Sequence, residues 1–78
     1  MVKIKYYGIL KPCLPSIEED GYWHAEVDGK TIGEVLDETG ASKSNAGKTL
    51  LVNAHRVDTN YILKDGDVLT VMPLVAGG

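Results

Sequence analysis

Thr31-Ile32-Gly33-Glu34-Val35-Leu36-Asp37-Glu38-Thr39-Gly40 is the stretch of this 78-residue chain that carries a full set of helix signals. The Thr31 hydroxyl can accept from the Glu34 amide while the Glu34 side chain reaches back to the Thr31 amide, which is a capping box. Ile32, Val35 and Leu36 follow at helical spacing. Gly40 falls where a left-handed C-terminal cap belongs. Outward from this helix the period changes from 3.6 to 2. Upstream, Val2, Ile4 and Tyr6 alternate with Lys3, Lys5 and Tyr7, and Trp23, Ala25 and Val27 alternate with His24, Glu26 and Asp28, so two strands are expected. Downstream, a strand is expected over 48–53, a tight turn at Ala54-His55-Arg56 into a brief return at Val57, and a last strand from Val68 to Met72. Pro73 should end that strand, since it has no ladder donor. Tyr61-Ile62-Leu63 reads as an apolar anchor before the turn Asp65-Gly66. The two prolines in Lys11-Pro12-Cys13-Leu14-Pro15-Ser16 are expected to interrupt regular structure. Strands, one helix, then more strands predict an α+β domain, with one main helix packed across one face of a mixed four- to five-stranded sheet.

Length and composition narrow the function classes. One domain of this size buries a modest core and has little room for a deep, layered active site. With 44% apolar and 24% charged residues and a net charge of −3, the chain reads as a folded soluble domain. It has no basic stripe for nucleic acid. Its apolar runs are too short for a membrane span, and the alternating N-terminus is unlike a signal peptide. One cysteine, Cys13, permits no internal disulfide and fits a reduced, cytoplasmic compartment.

Several chemical motifs fail on inspection. Gly40-Ala41-Ser42-Lys43-Ser44-Asn45-Ala46-Gly47-Lys48-Thr49 resembles a phosphate loop, but Ser42 stands where that motif needs glycine, and the segment feeds a strand rather than a helix. His24 and His55 have no partner at a spacing that suggests chemistry. Cys13 has no neighbour in sequence that would activate it as a nucleophile beyond the weak support of Lys11, and Glu18-Glu19-Asp20 reads as a solvated loop. No cofactor or metal site is expected on the chain.

The tail differs. After Pro73 come Leu74-Val75-Ala76-Gly77-Gly78. Glycines without side chains add nothing to a core. A domain at 1–74 carrying a flexible tail at 75–78 is therefore expected, and four residues can extend about 13 Å. Glycine backbone fits a narrow channel, and a terminal carboxylate of pKa about 3.3–3.7 is ionised and must be activated before it can donate an acyl group. Gly77 and Gly78 are the candidate reactive residues. If Leu69 and Val71 face the helix, Val68 and Met72 lie on the opposite face. With Leu74, and with Leu51 as a further candidate, they would form an apolar patch beside the tail, of the kind that marks protein contacts. Val68, Met72, Leu74, Val75 and Ala76 are the candidate partner-binding residues.

Leu51-Val52-Asn53, Val57, Leu63-Lys64-Asp65-Gly66-Asp67-Val68 and Met72-Pro73-Leu74-Val75-Ala76-Gly77-Gly78 together resemble the ubiquitin-like sulfur carriers. These are the small subunit of molybdopterin synthase and its relative in thiamine biosynthesis, and the ending is nearer the molybdopterin branch. The resemblance is specific from Leu51 onward. It implies a β-grasp fold and a carrier that is not itself an enzyme. In the implied cycle an E1-like partner adenylates Gly78 using ATP and magnesium, and sulfur replaces one carboxylate oxygen. The thiocarboxylate is then delivered within a molybdopterin synthase large subunit or an equivalent acceptor. Service to thiamine or another thio-metabolite, and conjugation to target proteins through Gly78, are the alternatives. Leu74 stands where many molybdopterin-type carriers have a second proline, and Ala54 where the turn often has glycine. The prolines at Lys11 to Ser16 argue against the helix often found there.

Overall fold

The alternation at the N-terminus becomes β1 (Val2–Tyr6), with Val2, Ile4 and Tyr6 buried, in a computed structural model that describes residues 1–43 and 47–74. β2 (Trp23–Ala25) pairs antiparallel with β1, placing Val2 opposite Ala25 and Lys3 opposite His24. The helix α1 (Ile32–Thr39) begins with the expected capping box: the Thr31 hydroxyl accepts from Glu34 N–H at 3.2 Å, and the Glu34 carboxylate accepts from Thr31 N–H at 3.0 Å. It ends at Gly40 with φ 84°, the left-handed conformation that glycine adopts without a Cβ penalty. β3 (Lys48–Val52) and β4 (His55–Val57) form a hairpin, and β5 (Val68–Pro73) completes the sheet.

Among the described residues the strands form one five-stranded sheet in the order β2-β1-β5-β3-β4. β5 lies at the centre, parallel to β1 and antiparallel to β3, so the sheet is mixed. Its residues Leu69 and Val71 have no solvent exposure, and they pack with Val2, Ile4, Ile32, Val35 and Leu36 between sheet and helix. This is the expected α+β, β-grasp arrangement of one main helix across one face of the sheet.

The chain after β4 straps the start of the helix. Ile32 N–H donates to Tyr61 C=O and Gly33 N–H to Thr59 C=O, both at 3.0 Å. First-turn amides have no partner inside a helix, so this loop and the Thr31 cap satisfy three of them. Leu63 drops fully into the core below the strap.

Four local readings need correction. Residues Gly8–Cys13 form a 3-10 helix with Pro12 inside it, rather than an interruption. The short i→i−3 pattern needs few donors: Leu10 N–H reaches Tyr7 C=O and Leu14 N–H reaches Lys11 C=O, each at 3.2 Å. β2 stops at Ala25, although Val27 is buried as its alternation requires. The hairpin turns one residue earlier than expected, on Asn53 and Ala54, both with positive φ, so His55 and Arg56 belong to β4. Within Tyr61-Ile62-Leu63, Leu63 is buried and Tyr61 packs part-buried against the core, whereas Ile62 is mainly exposed.

Candidate functional site

Because β5 is central and its Leu69 and Val71 are buried, Val68, Thr70 and Met72 point to the face of the sheet opposite the helix. All three are half-buried. The register brings Leu51 alongside Thr70 and Thr49 alongside Met72. Leu74 follows the strand: its N–H donates to Gly47 C=O at 2.7 Å, continuing the β3 pairing by one residue, and its side chain is 54% exposed. A Cβ on Gly47 would lie 2.9 Å from Leu74 Cδ1, so that glycine leaves the room in which Leu74 lies. On the other flank, a Cβ on Gly8, which has φ +59°, would come within 3.1 Å of Pro73 Cγ. Two glycines thus border the last described residues of the chain, one on each side.

The apolar residues Val68, Met72, Leu74 and Leu51 share this open face. Val75, Ala76, Gly77 and Gly78, the remaining candidate residues, and with them the expected flexible segment, lie outside the described residues. So does the part of the rejected phosphate-loop segment from Ser44 to Ala46. Of the rest of that segment, Ala41–Lys43 form a short 3-10 helix, and Lys48 and Thr49 begin β3 rather than an α-helix.

Sequence reasoning did not single out the polar side chains around the apolar strip. Lys3 and Lys5 project from β1 onto the same face, and Arg56 projects from β4, paired with Leu51. Lys5 Nζ lies 5.3 Å from the ring centroids of both Tyr7 and Tyr22. Lys3 Nζ lies 3.4 Å from Asp20. The alternation that revealed β1 already placed these lysines on one face; what it lacked was their neighbours.

The loop carboxylates also need correction. Asp20 is not merely solvated: its Oδ2 is 2.8 Å from His24 Nε2, so His24 has a carboxylate partner after all. That contact, followed by the Tyr22 amide and Lys3, holds the Asp20 carboxyl below its usual range despite partial desolvation. Both groups are substantially exposed, as expected of a surface pair. His55 is exposed on β4, and Cys13 is part-buried against the core. Among the described residues no three His, Cys, Asp or Glu side chains converge to hold a metal ion, and no helix is long and apolar enough to cross a membrane. The buried carboxylate of Asp67 accepts from Asn53 Nδ2, Tyr61 O–H and Lys64 N–H at 2.9–3.2 Å. Those three donors make it a structural pin between the hairpin and the strap.

An open sheet face with an apolar strip beside the end of β5 can bind a protein. Comparison with known proteins agrees with that character. The model of the ThiS family matches residues 4–78. A chain in the protein–protein complex of subunits 1 and 2 of molybdopterin-converting factor from Helicobacter pylori 26695 is 32% identical, with TM-score 0.57, over 99% of this chain and 97% of that one. SAMP1 from Haloferax volcanii shares the fold at 22% identity and TM-score 0.66, over 99% and 98% of the two chains. The Haloferax volcanii HVO 2177 protein shares it at 24% identity and TM-score 0.64, over 99% and 85%. The sequence matches no curated protein.

Proposed function

The chain belongs to the ThiS family of ubiquitin-like sulfur carriers, and we propose that it carries sulfur for molybdopterin, the organic part of the molybdenum and tungsten cofactors. The observation that supports this branch is the 32% identity, over nearly the whole of both chains, to a chain of the molybdopterin-converting factor complex. The family match running through Gly78 supports the carrier chemistry.

In this reading the Gly78 carboxylate attacks the α-phosphorus of ATP on an E1-like adenylating enzyme, with magnesium held by that enzyme, and pyrophosphate leaves. A sulfide-equivalent nucleophile then adds to the acyl carbon and AMP departs with one of the original carboxylate oxygens, leaving a thiocarboxylate. Activation is required because an ionised carboxylate resists nucleophiles, whereas an acyl phosphate has a good leaving group. The globule contributes no catalytic group. It presents Gly77 and Gly78 and binds its partners through Val68, Met72, Leu74, Val75 and Ala76, first the adenylating enzyme and then a molybdopterin synthase large subunit or an equivalent acceptor. Small side chains from Ala76 to Gly78 suit entry into a narrow channel. A reduced cytoplasm suits both the free Cys13 thiol and a thiocarboxylate.

Mass spectrometry of the protein isolated from its native host tests the proposal. Replacement of one oxygen by sulfur at Gly78 is the expected result, and Gly78→Ala should abolish it while leaving the melting temperature unchanged. Branched Gly-Gly remnants on lysines of other proteins, with no sulfur on Gly78, would instead make the chain a protein modifier.

A further inference from the structure

At the end of β5 the neighbouring segments hold the chain in different ways. On the β3 side Pro73 lies opposite Lys48, and Leu74 N–H donates to Gly47 C=O at 2.7 Å. On the β1 side the last described rung is Tyr7 N–H donating to Val71 C=O at 3.0 Å. The alternation of ladder bonds assigns the next donor on that side to residue 73, and proline has none. A contact stands in place of the bond: a Cβ on Gly8 would come within 3.1 Å of Pro73 Cγ and 3.7 Å of its Cδ. Both partners are held. Gly8 opens the 3-10 helix whose Leu10 is buried, and the proline ring is fixed to its own backbone. At Gly47 the three atoms nearest to an added Cβ all belong to Leu74, at 2.9, 3.6 and 3.7 Å. Gly47 has no left-handed φ, so it is Leu74 that bars a side chain there. Neither Pro73 nor Leu74 is part of the hydrophobic core. Two glycines from segments far apart in sequence therefore fit closely around two residues whose packing adds nothing to that core.

We propose that Gly8 and Gly47 are positioning residues for the chemistry at Gly78. They hold Pro73 and Leu74 so that the chain leaves the domain in one direction, with the Leu74–Gly47 hydrogen bond as the pin. The inference rests on the carrier reading, in which Gly78 reacts inside a partner. Once the domain is docked and its terminus is threaded into a channel, both ends of 75–78 are fixed. Four residues extend about 13 Å, so a tilt of roughly 10° at Leu74 displaces the far end by about 2 Å. A misplacement on the order of 1 Å can slow a reaction about a hundredfold. Such a tilt leaves the docking surface unchanged, so the loss falls on the rate of the bound complex and not on its affinity.

The test is single-turnover pyrophosphate release from ATP and magnesium, with the purified E1-like adenylating enzyme encoded in the same genome in excess over the chain. Varying the enzyme separates the maximal rate from the half-saturating concentration. Gly47→Val and Gly8→Ala are compared with the wild type and with Gly29→Ala. Gly29 has φ +86° and nothing within 4 Å of an added Cβ, so Gly29→Ala carries the left-handed backbone penalty of Gly8→Ala without its contact. Far-UV circular dichroism checks folding, and Gly47→Val, at an exposed position of ordinary φ, carries the test if Gly8→Ala fails to fold. The expected result is a maximal rate about ten- to a hundredfold below the wild type for Gly47→Val and Gly8→Ala, at an unchanged half-saturating concentration. Gly29→Ala should stay near the wild type. Leu74→Ala removes the atoms at 2.9 and 3.6 Å, so most of the Gly47→Val effect should vanish when the double variant is measured against Leu74→Ala alone. Maximal rates equal to the wild type, a loss confined to the half-saturating concentration, or a Gly47→Val effect undiminished by Leu74→Ala would each overturn this inference and leave the carrier reading standing. A wild-type chain that releases no pyrophosphate at any enzyme concentration would overturn the carrier reading and this inference with it.

Discussion

Replacing Ala54 with glycine should stabilise the protein. Ala54 is the second residue of the β3–β4 turn and has φ 69°, a left-handed conformation in which a Cβ crowds the following carbonyl. That conformation costs an L-residue about 1–2 kcal/mol. Glycine avoids the cost but has a more disordered unfolded state, which returns about 0.4–1 kcal/mol. The net gain is about 0.5–1 kcal/mol. For a domain of this size such a gain raises the melting temperature by roughly 3–6 °C. Asn53, the other turn residue, has φ 52° but should respond in the opposite direction. Its Nδ2 donates to Asp67 and its Oδ1 accepts from Val68 N–H, both at 3.0 Å. Asn53→Gly would remove one of the three donors to the buried Asp67 carboxylate and the side-chain acceptor of Val68 N–H, at a cost of about 1–3 kcal/mol. Thermal melts followed by circular dichroism, with urea midpoints at constant m-value, measure both changes. An Ala54→Gly protein that melts at or below the parent would refute the argument, since it would mean that the turn stores no backbone strain.

Three further outcomes follow from the geometry. Leu63→Ala removes a fully buried side chain beneath the strap and should cost about 2–5 kcal/mol in urea denaturation; a loss under about 1 kcal/mol would show that the site collapses or is not core. Met72→Asp places a charge in the apolar strip, and titration calorimetry with the adenylating enzyme should show at least about tenfold weaker binding with the fold retained; unchanged affinity would remove the strip from the interface. The Asp20 carboxyl is held low chiefly by His24, so its contribution to stability is present above the unfolded pKa of about 3.9 and is lost as pH falls through the lower folded value. Asp20→Asn should therefore lower the melting temperature at pH 7 and make no difference in strong acid, and a deficit independent of pH would contradict the pairing.

The parts of the fold that local patterns specify were legible in the residues. Helix α1 was readable from Thr31 to Gly40 because a capping box and a left-handed cap involve atoms within four positions of each other. The inward side of β1 and β5 was readable because alternation assigns faces whatever the partner strand. Of the candidate site, only the placement of Val68, Met72 and Leu74 on one face can be compared with the structure, and alternation had assigned it. The glycine pair and the apolar strip could be named from the chain, and the resemblance supplied the chemistry that residue patterns lack. The 3-10 helix at Gly8–Cys13 was not legible, since prolines exclude ladder and α-helical bonding but tolerate a single tight turn. The Asp20–His24 contact was missed because the loop that folds Asp20 back is set by what it packs against.

By itself, then, the sequence determined which residues form strands and helix and which side of each is apolar. Only the tertiary structure decided that the first and last strands lie side by side and parallel, which sets Lys3 and Lys5 against Val68 and Thr70 and brings Arg56 to the far edge of the same face. The physical reason is range. Propensity, alternation and capping act within a few residues, whereas strand order is settled by burying every apolar face at once, and the charge pattern of the open face is a consequence of that order.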